Sequence, residues 1–292
     1  MSTTHPEQAY LDLMKRVLEK GVYHPDRTGT GVYSTFGDQI RMPIRDSFPL
    51  LTTKKMFFKG VVEELMWFLR GQTNNKLLQE KGVHIWDGNS SREFLDKYGL
   101  EGYEEGDCGP IYSFQWKHFG AEYTNCHADY TNQGVDQIGF ILRELQENPN
   151  SRRIYMSAWN PKDMPQMCLP PCHVSAQFYV REGKHLSCHM YMRSCDVFLG
   201  LPFNIASYAL LTYLLASKCG YIPDELIISF GNVHIYSNHV EQVKEQLTRE
   251  PMDWPTLELD DARDWTMDTI QASQIHVKNY VSHGVIKAKM AV

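Results

Sequence analysis

The sequence predicts an α/β (α+β) protein with a mixed β-sheet flanked by helices. Two observations predict this class: apolar residues recur at helical spacing in several segments, and short aromatic or β-branched runs bounded by turn residues lie between them. The two kinds of segment interleave without the strict alternation of a βαβ protein. Of the 292 residues, 42% are hydrophobic and 22% are charged, as in ordinary globular proteins, which argues against a disordered or fibrous chain.

Helical spacing predicts a first helix at residues 7–20 (EQAYLDLMKRVLEK), which ends before Gly21, a usual helix stop. The same spacing predicts three further helices, at 61–71 (VVEELMWFLRG), 135–149 (VDQIGFILRELQENP) and 204–220 (NIASYALLTYLLASKCG). Four runs predict strands, at 152–159, 173–180, 185–192 and 225–236, the last leading into a helix from Ser237. The turn at 181–184 predicts a hairpin over 173–192, and the absence of a linker or repeat predicts one domain over residues 1–292.

Charge and cysteine content narrow the class of function. A net charge of −6 and a pI of about 6.1 provide no basic field, so we do not expect nucleic acid as a main partner. The N-terminal MSTTHPEQAY has no export-signal pattern and no apolar run reaches about 18 residues, so we expect no membrane partner. Seven scattered cysteines, an odd number, indicate reduced thiols in a cytoplasmic protein.

Cys172 is the first candidate for chemistry, in the stretch QMCLPPCHVSA at 166–176. Pro170 and Pro171 fix two φ angles and remove two amide donors, which indicates a rigid presentation of the thiol. A zinc site from Cys168, Cys172 and His173 lacks a second pair of ligands at suitable spacing, so we expect no metal. We interpret the other thiols as small buried hydrophobes, namely Cys108, Cys126, Cys188 and Cys219.

Four arginines form a second group of candidate functional residues. Arg27 lies in PDRTGTG, Arg152 and Arg153 are adjacent, and Arg193 precedes Ser194. Planar guanidinium groups and a neighbouring hydroxyl suit a phosphate, although each arginine alone is more often a surface charge.

Polar residues in three apolar segments each have two interpretations. Asn204 is either an N-cap after Pro202 or a carboxamide that pairs with a uracil ring. His234 and Tyr236 share one strand face and are either core residues or ligands of sugar hydroxyls. Glu64 is either a solvated residue or a semi-buried acid suited to proton transfer.

These segments together resemble the thymidylate synthase family. The resemblance extends from DRTGTG at 26–31 through SRRIYMSAWNP, LPPCH and RSCDVFLGLPFNIASYALL to IKAKMAV at 286–292. It implies the thymidylate synthase fold, a homodimer formed through the sheet with shared active sites, and C5 one-carbon transfer to dUMP. The cosubstrate would be 5,10-methylenetetrahydrofolate, and the products dTMP and dihydrofolate.

The resemblance also implies a role for each candidate. Cys172 would add to C6 of dUMP, Arg193 would favour the thiolate and hold phosphate, and Glu64 would organise proton transfer, with Tyr112 and His173 lining the site. The implied ligands of dUMP are Arg27, Ser194, Asn204, His234 and Tyr236 from one chain and Arg152 and Arg153 from its partner, whereas Asp196 would hold the pterin ring. The implied folate site contains Trp86, Asp196, Leu199, Gly200, Phe203 and Ala291, with C-terminal residues ending in Val292 closing over it.

Three positions depart from the family pattern: Met192 replaces a usual Gln, Ser113 a usual Gly, and Gly284 a usual Pro. The related deoxycytidylate hydroxymethylases also have Met-Arg-Ser, so dUMP 5-hydroxymethylation, with water replacing hydride, is the alternative reaction. Asn204 favours uracil over cytosine as the base. A catalytically idle nucleotide- or RNA-binding protein on the same scaffold is a hypothesis of a different class.

Overall fold

The computed structural model describes residues 4–291, which form a six-stranded mixed sheet, a two-stranded ribbon and surrounding helices. The α-helices are α1 (Gln8–Lys20), α2 (Phe58–Leu69), α3 (Lys76–Gln79), α4 (Asp87–Ser90), α5 (Arg92–Lys97), α6 (Tyr112–His118), α7 (Gln137–Glu147), α8 (Gly200–Cys219) and α9 (Val240–Leu247). The strands are β1 (Val22–His24), β2 (Val32–Pro43), β3 (Tyr155–Ser157), β4 (His173–Arg181), β5 (His185–Asp196), β6 (Ile222–Tyr236), β7 (Thr256–Leu259) and β8 (Ile275–Lys278).

The large sheet has the strand order β1-β2-β6-β5-β4-β3. Its neighbours pair antiparallel except β5 and β6, which run parallel and are joined through helix α8. A sheet that combines both kinds of pairing with covering helices confirms the α/β class predicted from the sequence.

The predicted hairpin over 173–192 is confirmed as β4 and β5. Its turn contains Glu182 and Gly183, both with positive φ (54° and 64°), the backbone conformation that tight hairpin turns require. The turn fixes the register that pairs Ala176 with Met190, and a β-bulge between His173 and Ser175 shifts this register by one residue, so that His173 pairs with Met192.

Helix α8 begins at Gly200, four residues before the predicted start at residue 204. Pro202 lies in the first turn, where a missing N–H costs no intrahelical hydrogen bond, so it does not mark the boundary. The N-cap interpretation of Asn204 is therefore wrong, because this residue is one turn inside the helix. Most of α8 is buried, and it ends at Gly220, which has the left-handed conformation expected of that stop (φ 74°).

The two faces of the large sheet differ in burial. On the inner face, Phe178, Met190 and Ile228 pack in the main hydrophobic core. On the opposite face, Tyr179 is 63% exposed and Tyr191 41% exposed. One broad face of the sheet is thus open to solvent in the single chain.

Several elements differ from the sequence-based prediction. Strand β3 covers three residues instead of 152–159, and a 3₁₀ turn at Ser237–His239 precedes α9. Cys126 and Cys219 are only half-buried, so their interpretation as buried hydrophobes is wrong, whereas Cys108 and Cys188 are fully buried. Over residues 4–291, the helices are all too short or too polar to cross a membrane.

Candidate active site

Cys172 lies in the loop just before β4, and hydrogen bonds of Arg193 and Tyr112 fix the conformation of this loop. The Arg193 guanidinium donates from Nε to the carbonyl of Pro171 (2.7 Å) and from Nη2 to the carbonyl of Pro170 (3.0 Å). Across the β4–β5 pair, the N–H of Arg193 donates to the Cys172 carbonyl (2.9 Å). The Cys172 N–H in turn donates to the hydroxyl of Tyr112 (2.6 Å). The rigid presentation expected from the two prolines thus has identified partners.

Burial and the neighbouring groups shift the pKa of the Cys172 thiol in opposite directions. Burial raises the pKa of the Cys172 thiol, while the positive charge of Arg193, a hydrogen bond from Tyr112 and the charge of Arg27 lower it. Asp196 opposes those three groups weakly. Cys172 is half-buried, whereas its neighbour in β5, Cys195, is fully buried with a strongly raised pKa. Cys172 therefore combines access with stabilising positive charge, as a nucleophilic thiol needs.

His173 follows the thiol and points into an aromatic environment. Its ring stacks on Tyr112, with centroids 4.0 Å apart, and Nδ1 lies 2.8 Å from the hydroxyl of Tyr208. Burial lowers the pKa of His173 to about 3. The ring is therefore neutral at physiological pH, and Tyr208 fixes its orientation.

Glu64 projects from α2 toward Trp86, which lies just before α4. The indole Nε1 of Trp86 donates to Glu64 Oε1 at 2.8 Å, and the Trp86 ring meets Tyr112 edge to face. Burial raises the pKa of Glu64 to about 7, although the Trp86 hydrogen bond lowers it. The interpretation of Glu64 as a solvated residue is thus not supported, since it is a half-buried acid able to gain and lose a proton near neutrality.

A glycine-containing loop between β1 and β2 carries Arg27. Asp26 accepts hydrogen bonds from the N–H groups of Thr28 (3.0 Å) and Gly31 (2.7 Å), which closes the turn. Gly31 has φ 80°, and a Cβ there would lie 2.3 Å from the hydroxyl of Tyr23, so only glycine fits. The exposed Arg27 side chain donates to the hydroxyl of Tyr98 (3.1 Å).

The parallel strands β5 and β6 end at the same edge of the sheet. Their register pairs Ser194 with Asn232 and Asp196 with His234. Asp196 Oδ1 accepts from the N–H groups of Phe198 (3.0 Å) and Leu199 (3.2 Å), which shapes the approach to α8.

The rings of His234 and Tyr236 meet edge to face at 5.3 Å, and burial lowers the pKa of His234. Burial raises the pKa of Tyr236 to about 12. The Arg27 loop lies at this edge, because Ser237 donates from its N–H to the carbonyl of Gly31 (2.9 Å) and from its hydroxyl to the carbonyl of Thr30 (2.7 Å). The half-buried Asn204 follows in α8, and within residues 4–291 its carboxamide makes no hydrogen bond. The strand ends and the start of α8 thus bring these predicted residues to one edge of the sheet.

The predicted folate residues fall into two groups. Trp86 belongs to the Glu64 cluster, while Leu199, Gly200 and Phe203 form the half-buried start of α8. The C-terminal segment crosses the molecule near them, because His239 Nε2 donates to the carbonyl of Lys289 (2.8 Å) and the His239 ring meets Phe198. Ala291 is half-buried, and Val292 lies outside the described residues.

Arg152 and Arg153 are apart from the other predicted residues. Both are exposed and line a cavity of about 400 Å³ with Phe140 and Glu144. In residues 4–291, no hydrogen bond or ion pair joins either arginine to Cys172 or to its neighbours. The Gln177 side chain donates to the Arg152 carbonyl (3.1 Å), which places the pair beside the open face of the sheet.

Four side chains of this region escaped the sequence-based reasoning. Lys54 is buried, donates to the carbonyl of Phe198 and lies 3.9 Å from the centre of that ring; burial lowers its pKa to about 8, against the charge of Asp196. Phe68 contacts Trp86, Tyr112 and His173, Tyr208 orients His173, and Trp159 lies under Arg193. Lys54 follows two threonines without periodicity, so the sequence contains no signal for its burial.

Two of the departures from the family pattern are buried. Met192 lies in β5 opposite His173, and the Ser113 hydroxyl in α6 is buried without a hydrogen-bond partner. Gly284 is in the C-terminal segment, where its carbonyl accepts from Arg249 (2.7 Å).

Comparison with known proteins gives a consistent result. The family model of thymidylate synthase matches residues 8–292. A bifunctional dihydrofolate reductase-thymidylate synthase of Paramecium tetraurelia is 54% identical over 291 residues, which are 99% of this chain and 62% of that protein. Proteins of the same name from Zea mays and Leishmania amazonensis are each 51% identical over 99% of this chain and 55% and 56% of theirs. The chain thus spans about 55–62% of the length of these curated relatives.

Proposed function

The chain belongs to the thymidylate synthase family, and from this premise we propose that it transfers a one-carbon unit to C5 of dUMP from 5,10-methylenetetrahydrofolate. The products are dTMP and dihydrofolate, since the folate supplies both the carbon and the hydride. The observation that carries the proposal is the chain of contacts that links the half-buried Cys172 and Arg193 through Tyr112 and Trp86 to Glu64, whose pKa burial raises to about 7.

In the first step, the Cys172 thiolate adds to C6 of the uracil ring, and C5 gains the nucleophilic character needed to attack the methylene carbon. Arg193 and Arg27 favour the thiolate against the effect of burial. The Tyr112 hydroxyl accepts a hydrogen bond from the Cys172 N–H and so positions the nucleophile; burial raises the pKa of Tyr112 well above its ordinary value, so the hydroxyl stays protonated.

Glu64 serves as the proton-transfer group at O4 of the base and at N10 of the folate. A pKa of about 7 makes both protonation states available near neutral pH, which is the condition for efficient general acid and base catalysis. The Trp86 indole fixes the direction of the carboxyl group. His173 stays neutral and lines the cavity, so it adds no competing charge.

The nucleotide is bound at the edge where β5 and β6 end. Arg27, Arg193 and Ser194 hold the phosphate, His234 and Tyr236 the deoxyribose hydroxyl, and Asn204 the uracil. The carboxamide of Asn204, which makes no hydrogen bond within residues 4–291, supports this role, because it offers a donor for O4 and an acceptor for N3–H.

The folate lies against Trp86, Leu199, Gly200, Phe203 and Ala291, with Asp196 on the pterin ring. The contact of His239 with Lys289 supports a C-terminal segment that covers this side and excludes water. Hydroxymethylation, the alternative raised by Met192, is supported neither by the family match nor by the relatives' names.

We also propose a homodimer formed through the open sheet face, with shared active sites. A broad face with exposed Tyr179 and Tyr191 supports such an interface. Arg152 and Arg153 lie beside that face and apart from Cys172 of their own chain, as phosphate ligands for a partner would. We propose a cytoplasmic location, which the seven free thiols support, and one catalytic domain over residues 1–292.

A product assay tests the function. Purified protein with dUMP and methylenetetrahydrofolate should release dTMP and dihydrofolate in equal amounts, identified by mass spectrometry. Release of 5-hydroxymethyl-dUMP with tetrahydrofolate would overturn the methylation claim, and binding of dUMP without turnover would favour the binding-protein hypothesis.

A further inference from the structure

Outside the catalytic cluster, two loops bring a thiol, an imidazole and a carboxylate together. Glu104 lies in the loop between α5 and α6, and Cys126 and His127 lie in the loop between α6 and α7. One ligand atom from each residue lies within 4.8 Å of the other two, the one such three-residue group over residues 4–291. We propose that Glu104, Cys126 and His127 form a surface site for Zn²⁺, which ties these two loops together.

The distances suit a tetrahedral ion. Cys126 Sγ lies 3.7 Å from Glu104 Oε1, and His127 Nε2 lies 2.8 Å from the same oxygen. With usual zinc–ligand lengths of roughly 2.0–2.3 Å, neighbouring ligand atoms in a tetrahedron are about 3.5 Å apart. The thiol and carboxylate are already close to that separation, the imidazole lies nearer to the carboxylate, and the thiol and imidazole lie within 4.8 Å of each other, so small rotations of the side chains complete the geometry.

The donor set and exposure indicate zinc with an open coordination position. Thiolate and imidazole select a borderline metal over Mg²⁺ or Ca²⁺, which prefer oxygen ligands alone. The side chains of Glu104 and His127 are 42% and 62% exposed, so water can complete the coordination. Lys76 is the competing cation, with Nζ 3.3 Å from Glu104 Oε1, and its half-exposed side chain can turn into solvent.

The surrounding loops are fixed before any ion arrives. Asp107 accepts a hydrogen bond from the Cys126 N–H (3.1 Å), and Asn125 accepts one from the His127 N–H (2.9 Å). The carboxylates of Asp107 and Glu104 thus both lie beside Cys126, the latter 3.7 Å from its Sγ. The same charges attract a divalent cation, which displaces the thiol proton on binding.

A bound ion would brace helix α6, which both loops flank and which begins at Tyr112. The site belongs to no step of the proposed reaction. It is expected to act on stability, and its test does not depend on turnover.

Cobalt provides the direct test, because a thiolate ligand gives Co²⁺ a charge-transfer band in the near ultraviolet. The reduced full-length protein should bind one Co²⁺ per chain with this band, and Zn²⁺ should displace it. Cys126→Ser should remove the band, while Glu104→Gln and His127→Ala should weaken Zn²⁺ binding at least about tenfold, since even loss of an outer-shell partner has effects of that size.

Two control variants match these changes. Cys219→Ser removes another half-buried thiol, and His276→Ala removes an exposed imidazole that pairs with Asp260 (2.9 Å) without a thiol nearby. Both should leave metal binding intact. Zn²⁺ should also raise the melting midpoint of the wild type but not of Cys126→Ser, with far-ultraviolet circular dichroism confirming that each variant is folded. A band that survives in folded Cys126→Ser, or no band at millimolar Co²⁺ in the wild type, would overturn the proposal.

Discussion

The hydroxyl of Tyr112 accepts a hydrogen bond from the backbone N–H of Cys172 at 2.6 Å, so the start of α6 holds the residue that begins the proposed chemistry. The contact joins two segments that are 60 residues apart in the sequence. It also places an aromatic ring against His173, the residue that opens β4. The position of the thiol thus depends on α6 as well as on the two prolines before it.

Cys172 is expected to be the one thiol required for adduct formation. Cys172→Ala should abolish the covalent complex with 5-fluoro-dUMP and the folate, observed as a mass increase of the intact chain. The control is Cys195→Ala, which removes a fully buried thiol from the adjacent strand and should keep the complex. A covalent complex in Cys172→Ala would contradict the assignment of the nucleophile.

Glu64→Gln is expected to lower kcat by about 10²–10⁴-fold, the usual contribution of a general acid or base. The amide still accepts a hydrogen bond from Trp86, so the geometry is preserved while the proton is lost. The wild type should show a titration near pH 7 in its rate profile, and the variant should not. An unchanged pH profile in the variant would exclude Glu64 as the titrating group.

The same carboxyl predicts a pH-dependent stability difference. Folding raises the pKa of Glu64 from 4.5 to about 7, so the folded chain binds more protons between these values. The Glu64 contribution to the free energy of unfolding is therefore favourable below pH 4.5 and is lost as the pH rises through 7. Urea unfolding of the wild type and Glu64→Gln at about pH 5 and about pH 8 should show the wild type losing more stability than the variant.

Mixed dimers test the proposed sharing of active sites. Arg152→Ala and Cys172→Ala chains should each be nearly inactive, and random mixing after unfolding should restore about a quarter of the wild-type activity, because half of the dimers then contain one intact site. Arg27→Ala is the matched control: Arg27 acts on Cys172 of its own chain, so mixing it with Cys172→Ala should restore nothing. No recovery from verified Arg152→Ala mixed dimers would argue against a shared site.

Asn204→Asp is expected to weaken the preference for uracil over cytosine. A mispaired buried polar group costs roughly 1–3 kcal/mol, so one mismatch gives about 5- to 150-fold discrimination. The ratio of kcat/KM for dUMP to that for dCMP should therefore fall in the variant. Asn204→Gln keeps the amide and tests position alone. If Asn204→Asp leaves the ratio unchanged, another residue reads the base.

Elements with strong periodicity could be predicted from the sequence. Helix α1 and the β4–β5 hairpin match their predicted positions closely, because one face of each packs on the core and the turn residues are distinctive. Strand β2 was missed, since its partly exposed residues give no regular alternation. The short helices α3–α6 were also missed, because tertiary contacts rather than propensity hold segments of four to seven residues.

Sequence patterns could not predict which side chains of the site contact one another. The resemblance named Glu64 and Trp86 separately, but their hydrogen bond depends on how the segment before α4 folds against α2. Lys54 is buried beside Phe198 although lysine is rarely buried, so composition argues against it. The separation of Arg152 and Arg153 from Cys172 likewise becomes visible only when the strands are placed in the sheet.

The two hydrogen bonds from Arg193 to the prolyl carbonyls affect how any Arg193 variant can be interpreted. The same side chain fixes the conformation of the loop and supplies positive charge to the thiol, and these two contributions cannot be removed one at a time. Even Arg193→Lys keeps the charge but loses the planar pair of donors. A loss of kcat/KM in an Arg193 variant therefore combines the change in loop conformation with the loss of stabilising charge. Its free-energy effect will not add to the effects of substitutions at Pro170, Pro171 or Cys172.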